Sequence, residues 1–329
     1  MFEKVFLGGE YLLFLLLFRY KSFIIKNFIA FFTKSLHHPP MDVTKKLLVC
    51  VDGSLPYMES CLKHAEWLMK TMRATADIFY VTDAHQFDLA MLGDFSGSLG
   101  AQPYQRLCEQ LRQIEKEKVR VIQESVEKFF EKAGLASQIS FHHEHGSLVD
   151  SCQKFENSEV GVDLILLGKR GENAAFAAEH LGANLERVVR ASSRPCWIAC
   201  RKFAPIQKMA LAYDGSPSVH HGLQFLIRSP FLKKIPIDLI YVCEEDNPSE
   251  EVQEMLDTAK KTLQKGGYEV QVVCLHDDIG DGISNYVSKN AIDLLMMGAY
   301  GHGKIRHLLI GSITTELMRR CKNSVLLFR

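Results

Sequence analysis

The chain has no surplus of charge. Its 39 lysines and arginines are balanced by 39 aspartates and glutamates. A protein drawn to nucleic acid by its overall field needs a basic excess, so that class is excluded on charge. It also lacks an apolar run long enough to span a bilayer. The longest, Tyr11 to Phe18, is bounded by Glu10 and Arg19. A spanning helix needs about 20 apolar residues. There is no Walker loop, which requires Gly-Lys-Ser/Thr after four residues, and no tight dinucleotide fingerprint. A Gly-x-Ser-x-Gly elbow is missing, as is a Cys or Ser nucleophile with an identifiable base. No acidic pair clearly places Mg²⁺, and the Ser-Gly-Gly-x-Asp-Ser loop of pyrophosphatase-type synthetases does not occur. The sequence therefore supplies no strong hydrolytic machinery. The nine cysteines are odd in number and scattered. Cys50, Cys196, Cys200, Cys243 and Cys274 lie in apolar, strand-like runs. They read as buried free thiols of a reducing, cytoplasmic compartment rather than as a disulfide framework.

What the sequence does have is length for two ordinary domains, with 24% charged and 47% apolar residues. Residues 1–40 stand apart, with five basic and two acidic residues among two short apolar stretches. No small-x-small cleavage site follows, which argues against a signal peptide. An interfacial membrane anchor is one reading. The other, preferred here, is that the stretch is not native coding sequence, since His37-His-Pro-Pro40 before Met41 looks like a junction.

The remainder repeats itself. Lys46-Leu-Leu-Val-Cys-Val-Asp52-Gly53-Ser54 recurs as Lys208-Met-Ala-Leu-Ala-Tyr-Asp214-Gly215-Ser216. Ala76 to Val81 is echoed by Ile237 to Val242. Ile139 to His145 is echoed by Tyr268 to Cys274. Val162-Asp-Leu-Ile-Leu-Leu-Gly168 is echoed by Ile292-Asp-Leu-Leu-Met-Met-Gly298. The last strands are Cys196 to Cys200 and Val325 to Phe328. Near-continuous apolar strands alternating with helices predict an α/β fold: two doubly wound, five-stranded parallel sheets, each of order 3-2-1-4-5. The expected domains are 44–203 and 204–329. Ligands are expected beyond the C-terminal strand ends, where the Asp-Gly-Ser tips and the glycine loops meet. Ser216 is expected to cap the following helix, with Pro217 in its first turn.

The second half carries Gly298-Ala-Tyr-Gly301, then nine residues, then Gly311-Ser312. Glycines admit a phosphate close to the backbone, and a helix N-terminus offers it N–H groups. This G-x2-G-x9-G-S loop, the Val-Asp-Gly-Ser tip and the apolar-Asp-apolar-apolar-apolar-Gly strand, duplicated in order, resemble a tandem universal stress protein over residues 44–329. The resemblance implies an adenine-nucleotide-binding fold of the adenine-nucleotide α-hydrolase-like type, and ATP, ADP or AMP as bound ligand. By the same resemblance Asp214 and the backbone of Val242 face the adenine and ribose. Gly298 and Gly301 fold the loop over the phosphates. Gly311, Ser312 and Ile313 present the helix start. Lys304, Arg306 and His307 either add charge-assisted contacts or simply face water. The family also implies that the last strands of the two halves pair, covering apolar edges that otherwise invite aggregation.

The first half departs from the pattern. Asp52, Val81, Gly168 and Gly171 are kept, but ten residues precede Gly182, and Ala183 follows it in place of a hydroxyl residue. Asn184 is a candidate cap. Glu172 and Glu179 reduce the positive charge, which Lys169 and Arg170 partly restore. This site reads as weakened or repurposed. The first half also has an insertion between its second and third strands, from Asp83 to Gln138. It holds a glycine-rich loop near 93–103, then an amphipathic helix through Leu107, Leu111, Ile114, Lys118, Val121, Ile122, Val126, Phe129 and Phe130, ended by Gly134. His142, His143 and His145 lack a second ligand pair at metal spacing, so no metal is expected. The function expected is a nucleotide-binding stress-response or regulatory protein with one ligand site, in the second half. Without a general base, any ATP hydrolysis is slow. The alternative is a nucleotide-independent scaffold with vestigial sites.

Overall fold

Each strand is apolar on both sides, so each must be covered on both faces. In β1 (Lys45–Val51), Leu47, Val49 and Val51 enter one core, while Leu48 and Cys50 enter the other. The computed structural model describes residues 45–83, 101–159, 161–169, 183–243, 248–299 and 311–329. Residues 1–44, on which the anchor and junction readings fall, lie outside them. Among the described residues no helix is long and apolar enough to cross a membrane.

In the first half, β1 is followed by α1 (Leu55–Met72), β2 (Ala74–Asp83), α2 (Ala101–Lys132), β3 (Ile139–Gly146), α3 (Leu148–Glu156), β4 (Leu164–Gly168), α4 (Ala183–Ala191) and β5 (Cys196–Ala199). The second half runs β6 (Met209–Ala212), α5 (Pro217–Arg228), β7 (Ile237–Val242), α6 (Glu250–Lys265), β8 (Val270–Leu275), α7 (Ile279–Lys289), β9 (Leu294–Gly298), α8 (Ser312–Arg320) and β10 (Ser324–Phe328). The strand order is β3-β2-β1-β4-β5-β10-β9-β6-β7-β8. Each half is thus parallel in the order 3-2-1-4-5, and both join into one ten-stranded sheet. Helices α1, α2, α5 and α6 cover one face, and α3, α4, α7 and α8 the other.

The aspartates just ahead of β4 and β9 have a structural role at the end of the sheet remote from the tips. Asp163 accepts the Lys46 N–H at 2.8 Å, and Asp293 accepts those of Gln207 and Lys208 at 2.8 and 3.1 Å. Each carboxylate fastens the start of its strand to the start of β1 or β6.

The halves join where β5 and β10 pair antiparallel, with Val325 opposite Ile198, Leu326 opposite Trp197 and Leu327 opposite Cys196. Because each half is parallel within itself, this reversal points the two sets of C-terminal strand ends in opposite directions. Polar contacts cross the seam as well. His64 Nδ1 faces the Ser60 carbonyl at 2.8 Å and therefore carries the proton. Its Nε2 then accepts from the Ser324 hydroxyl at 2.8 Å. Burial pushes the His64 imidazole down to about 4, against a weaker opposing pull from the Ser60 carbonyl.

Helix α2 ends as expected. Gly134 takes φ of +72° and the Leu135 N–H returns to the Phe130 carbonyl at 2.9 Å. Its apolar stripe is narrower than the spacing suggests. Ile122, Val126 and Phe130 are buried, whereas Ile114 is 64% and Val121 48% exposed. The inner face runs through Glu115, Lys118 and Ile122, so one charged residue outside the expected stripe, Glu115, turns inward.

Candidate functional site

In a doubly wound sheet the ligand crevice opens where neighbouring connections part to opposite faces. That point falls between β1 and β4 in the first half and between β6 and β9 in the second.

In the second half, the Tyr213 N–H donates to the Ile240 carbonyl at 2.8 Å, continuing the β6–β7 ladder past Ala212. This brings Asp214 level with Val242, the last residue of β7. The Leu211–Met296 pairing brings Tyr213 level with Gly298, the last residue of β9. Gly215 turns the chain with φ of +70°, a region that a side chain enters only with strain. Asp214 closes the turn by accepting the Ser216 N–H at 2.9 Å, and Asp214 remains exposed.

Helix α8 starts against the same strand end. Gly311 is its N-cap: its carbonyl accepts the Thr315 N–H at 3.0 Å, and its own N–H donates to the Ala299 carbonyl at 3.2 Å. The Thr314 hydroxyl donates to the Gly298 carbonyl at 3.1 Å. The N–H groups of Ser312, Ile313 and Thr314 have no acceptor within the helix. No acidic residue occupies this first turn, so the partial positive charge of the helix start is not offset there.

The two described glycines of this loop have different causes. A Cβ on Gly298 would lie 3.0 Å from Ser218 Cβ and 3.4 Å from Val219 Cγ2. Glycine is therefore needed here for α5 to pack on the strand end, with or without a ligand. Gly311 has φ of −54°, which any residue adopts, so its backbone conformation does not require glycine. Asp214, Val242, Gly298, Gly311, Ser312 and Ile313 thus come together at the C-terminal ends of β6, β7 and β9. Gly301, Lys304, Arg306 and His307 lie outside the described residues.

The first half builds the same frame and furnishes it differently. Val51 pairs with Tyr80, so Asp52 is level with Val81. Cys50 pairs with Leu167, so Val51 is level with Gly168. Gly53 turns with φ of +77°. The Ser54 N–H and hydroxyl both donate to Asp52 Oδ1, at 3.0 and 2.8 Å. Gly171, Gly182 and the residues 93–100 of the glycine-rich insertion lie outside the described residues.

Several features set the first tip apart. Helix α2 lies over it: a Cβ on Gly53 would meet Ile122 Cδ1 at 3.0 Å. From that helix Glu115 accepts the Tyr80 hydroxyl at 3.1 Å and also the Thr82 hydroxyl. Helix α4 carries Glu186 in its first turn, where it opposes an anion. Lys169, expected to add charge to the first loop, is buried and donates to the Cys321 carbonyl across the seam. That carbonyl caps the C-terminus of α8, the negative end of the helix, which attracts a cation. Asn184 is inside α4, one residue past its start, and is not the cap. Ser216 and Ser54 both occupy N-cap positions, yet neither side chain makes a cap bond. The signal for Glu115 was available in the 3.6-residue period, which puts it with Leu111, Lys118 and Ile122, and that for Glu186 in its place three residues after Ala183; the use of Lys169 depends on tertiary reach.

The histidines of β3 divide between faces as their alternation implies. His143 Nε2 lies 2.9 Å from Thr82 Oγ1, with its ring 4.7 Å from that of His145. His142 turns away to Asp77, at 3.1 Å. Burial first, and His145 second, hold His143 below the ordinary imidazole value. Among the described residues no group of three His, Cys, Asp or Glu side chains is arranged to hold a metal ion.

Comparison with known proteins agrees with this architecture. The model of the universal stress protein family matches residues 44–199 and, separately, 205–329. Universal stress protein Slr1230 of Synechocystis sp. (strain ATCC 27184 / PCC 6803 / Kazusa) is 35% identical over 292 residues, covering 87% of this chain and 100% of that protein. Among solved structures, a universal stress protein from Archaeoglobus fulgidus DSM 4304 aligns with a TM-score of 0.59 at 17% identity, over 86% of this chain and 96% of that one. A putative universal stress protein from Pseudomonas aeruginosa UCBPP-PA14 aligns with a TM-score of 0.54 at 12% identity, over 87% and 93%. At such identities the structural matches speak for the fold. With two family matches in series and a full-length relative, the chain belongs to the universal stress protein family, as a tandem of two family domains.

Proposed function

We propose that the second half binds one adenine nucleotide per chain and that the protein acts as a nucleotide-responsive stress or regulatory protein. The observation that carries this reading is the meeting of Asp214, Val242 and Gly298 at adjacent strand ends with the acid-free start of α8. The exposed Asp214 carboxylate suits a ribose or base donor. The N–H groups of Ser312, Ile313 and Thr314 suit a phosphate. These residues fit the ligand that the G-x2-G-x9-G-S spacing suggests. A bound nucleotide supplies its own phosphate charge, which occupancy brings to the start of α8.

The first half is read as a structural partner. Glu186 at the start of α4 disfavours an anion and Lys169 is engaged elsewhere, while Glu115 at the end of β2 is accompanied by Lys118, whose Cε lies 3.6 Å from the position of a Cβ on Gly53. Among the described residues none at the second tip stands out as a general base, so the proposed role is binding, with hydrolysis slow at most. Eight of the nine cysteines are seen as free thiols, which supports a cytoplasmic, reducing compartment. Mass spectrometry of the small molecule released from purified protein tests the reading. An adenine nucleotide near one equivalent is expected; protein that carries none and binds none when ATP is added would reduce the fold to a scaffold.

A further inference from the structure

The two Asp-Gly-Ser tips are equivalent in backbone and differ in one hydroxyl. In the first, Ser54 Oγ donates to Asp52 Oδ1 at 2.8 Å. In the second, Ser216 is 1% exposed and its Oγ has no hydrogen-bond partner among the described residues. The rest of Ser216 is fully engaged. Its N–H donates to Asp214 Oδ1 at 2.9 Å. Its carbonyl accepts the His220 N–H at 3.1 Å, and His220 Nδ1 approaches the same oxygen at 2.9 Å. The hydroxyl does not cap α5, although Ser216 stands at the N-cap position. An unmet buried hydroxyl costs about 1–3 kcal/mol, so a fold does not leave one without cause.

The place of this hydroxyl supplies the cause. The position of a Cβ on Gly298 lies 3.5 Å from Ser216 Oγ, so the hydroxyl adjoins the strand end from which the glycine loop departs. Two helix starts converge there. The first turn of α5 abuts Gly298 through Ser218 and Val219, and α8 is tied to the Gly298 carbonyl through Thr314. Neither first turn contains an acidic residue. A donor between two helix N-termini is suited to an anionic oxygen.

We infer that Ser216 Oγ is a ligand contact of the second site and donates its proton to a phosphate oxygen of the bound nucleotide. This rests on the nucleotide-binding reading above and adds a residue that the loop spacing does not name. The hydroxyl is held in readiness by the fold, and the ligand satisfies it. The first tip cannot do the same, because its serine is already committed to Asp52.

Calorimetric titration of the full chain with ATP, beside thermal melting without nucleotide, tests the inference. Ser216→Ala is expected to weaken ATP about tenfold to a hundredfold, the range for a hydrogen bond to a charged group. The same variant, losing no internal bond, melts at or above the unaltered chain. Ser54→Ala loses its bond to Asp52, melts lower, and keeps the ATP affinity. Equal ATP affinity in Ser216→Ala and the unaltered chain would overturn the inference while leaving nucleotide binding intact. A melting point lowered by Ser216→Ala as much as by Ser54→Ala would overturn it too, by revealing an internal partner. If the unaltered chain takes up no ATP, the nucleotide reading itself fails and this inference with it.

Discussion

Trp197 lies directly opposite Leu326 in the antiparallel pairing of β5 and β10. The two hold the same place in their own halves, since Trp197 pairs with Leu166 of β4 and Leu326 with Met296 of β9. The rotation that exchanges the halves therefore passes through this pair. Both side chains are fully buried in the core on the α1 and α5 face. Trp197 also packs against Trp67, with ring centroids 6.0 Å apart. The seam is an interior, and the halves are expected to unfold as one body.

Placing two carboxylates at this point should break the seam. Trp197→Glu with Leu326→Glu removes apolar packing and buries like charges, an expected loss of at least about 4 kcal/mol. Urea denaturation should show either a collapsed midpoint or two separate transitions. A double variant that melts in one step near the unaltered midpoint would mean the seam contributes little.

His64 makes stability dependent on acid. Its imidazole is neutral in the fold down to about 4, against an ordinary value of 6.5. Between these two values the unfolded chain takes up a proton that the folded chain refuses. Stability is thus complete above pH 6.5 and declines as pH falls towards 4, by roughly 3 kcal/mol over the window. Below the window this group contributes no further change. Denaturant midpoints measured from pH 7 to pH 4 should show the slope, and His64→Leu should flatten it. An unchanged slope in that variant would place the acid sensitivity in other groups.

The loop glycines should separate packing from binding. Gly298→Ala forces a Cβ to within 3.0 Å of Ser218, and the expected cost is about 1–3 kcal/mol with no nucleotide present. Gly311→Ala, at φ of −54°, should stay within about 0.5 kcal/mol. Thermal melting of both variants checks this. Equal melting points would remove the assigned reason for glycine at 298.

The strand order was legible because each strand is a short apolar run and the whole series occurs twice, so the same reading could be made independently in each half. The frame of the site was legible for the same reason: Asp214, Val242 and Gly298 close three neighbouring strands, and strand ends are fixed once the order is known. The use of individual side chains was not. Lys169 looked like charge for its own loop, but the reversal at β5 and β10 brings the C-terminus of α8 within its reach. Glu115 belongs to a helix whose inward face is tilted by how α2 lies over the first tip. Ser216 has the sequence of a helix cap, yet its side chain makes no cap bond. Such outcomes depend on distances between segments far apart in the chain.

The central claim is a single nucleotide site in the second half, and ATP titration calorimetry on the full chain and on Gly311→Val tests it most directly. The backbone at 311 tolerates valine, so the variant should fold, while its side chain occupies the approach to the start of α8. The account predicts about one ATP per unaltered chain and no measurable uptake by the folded variant. Two equivalent sites, or a folded Gly311→Val that binds ATP undiminished, would contradict it.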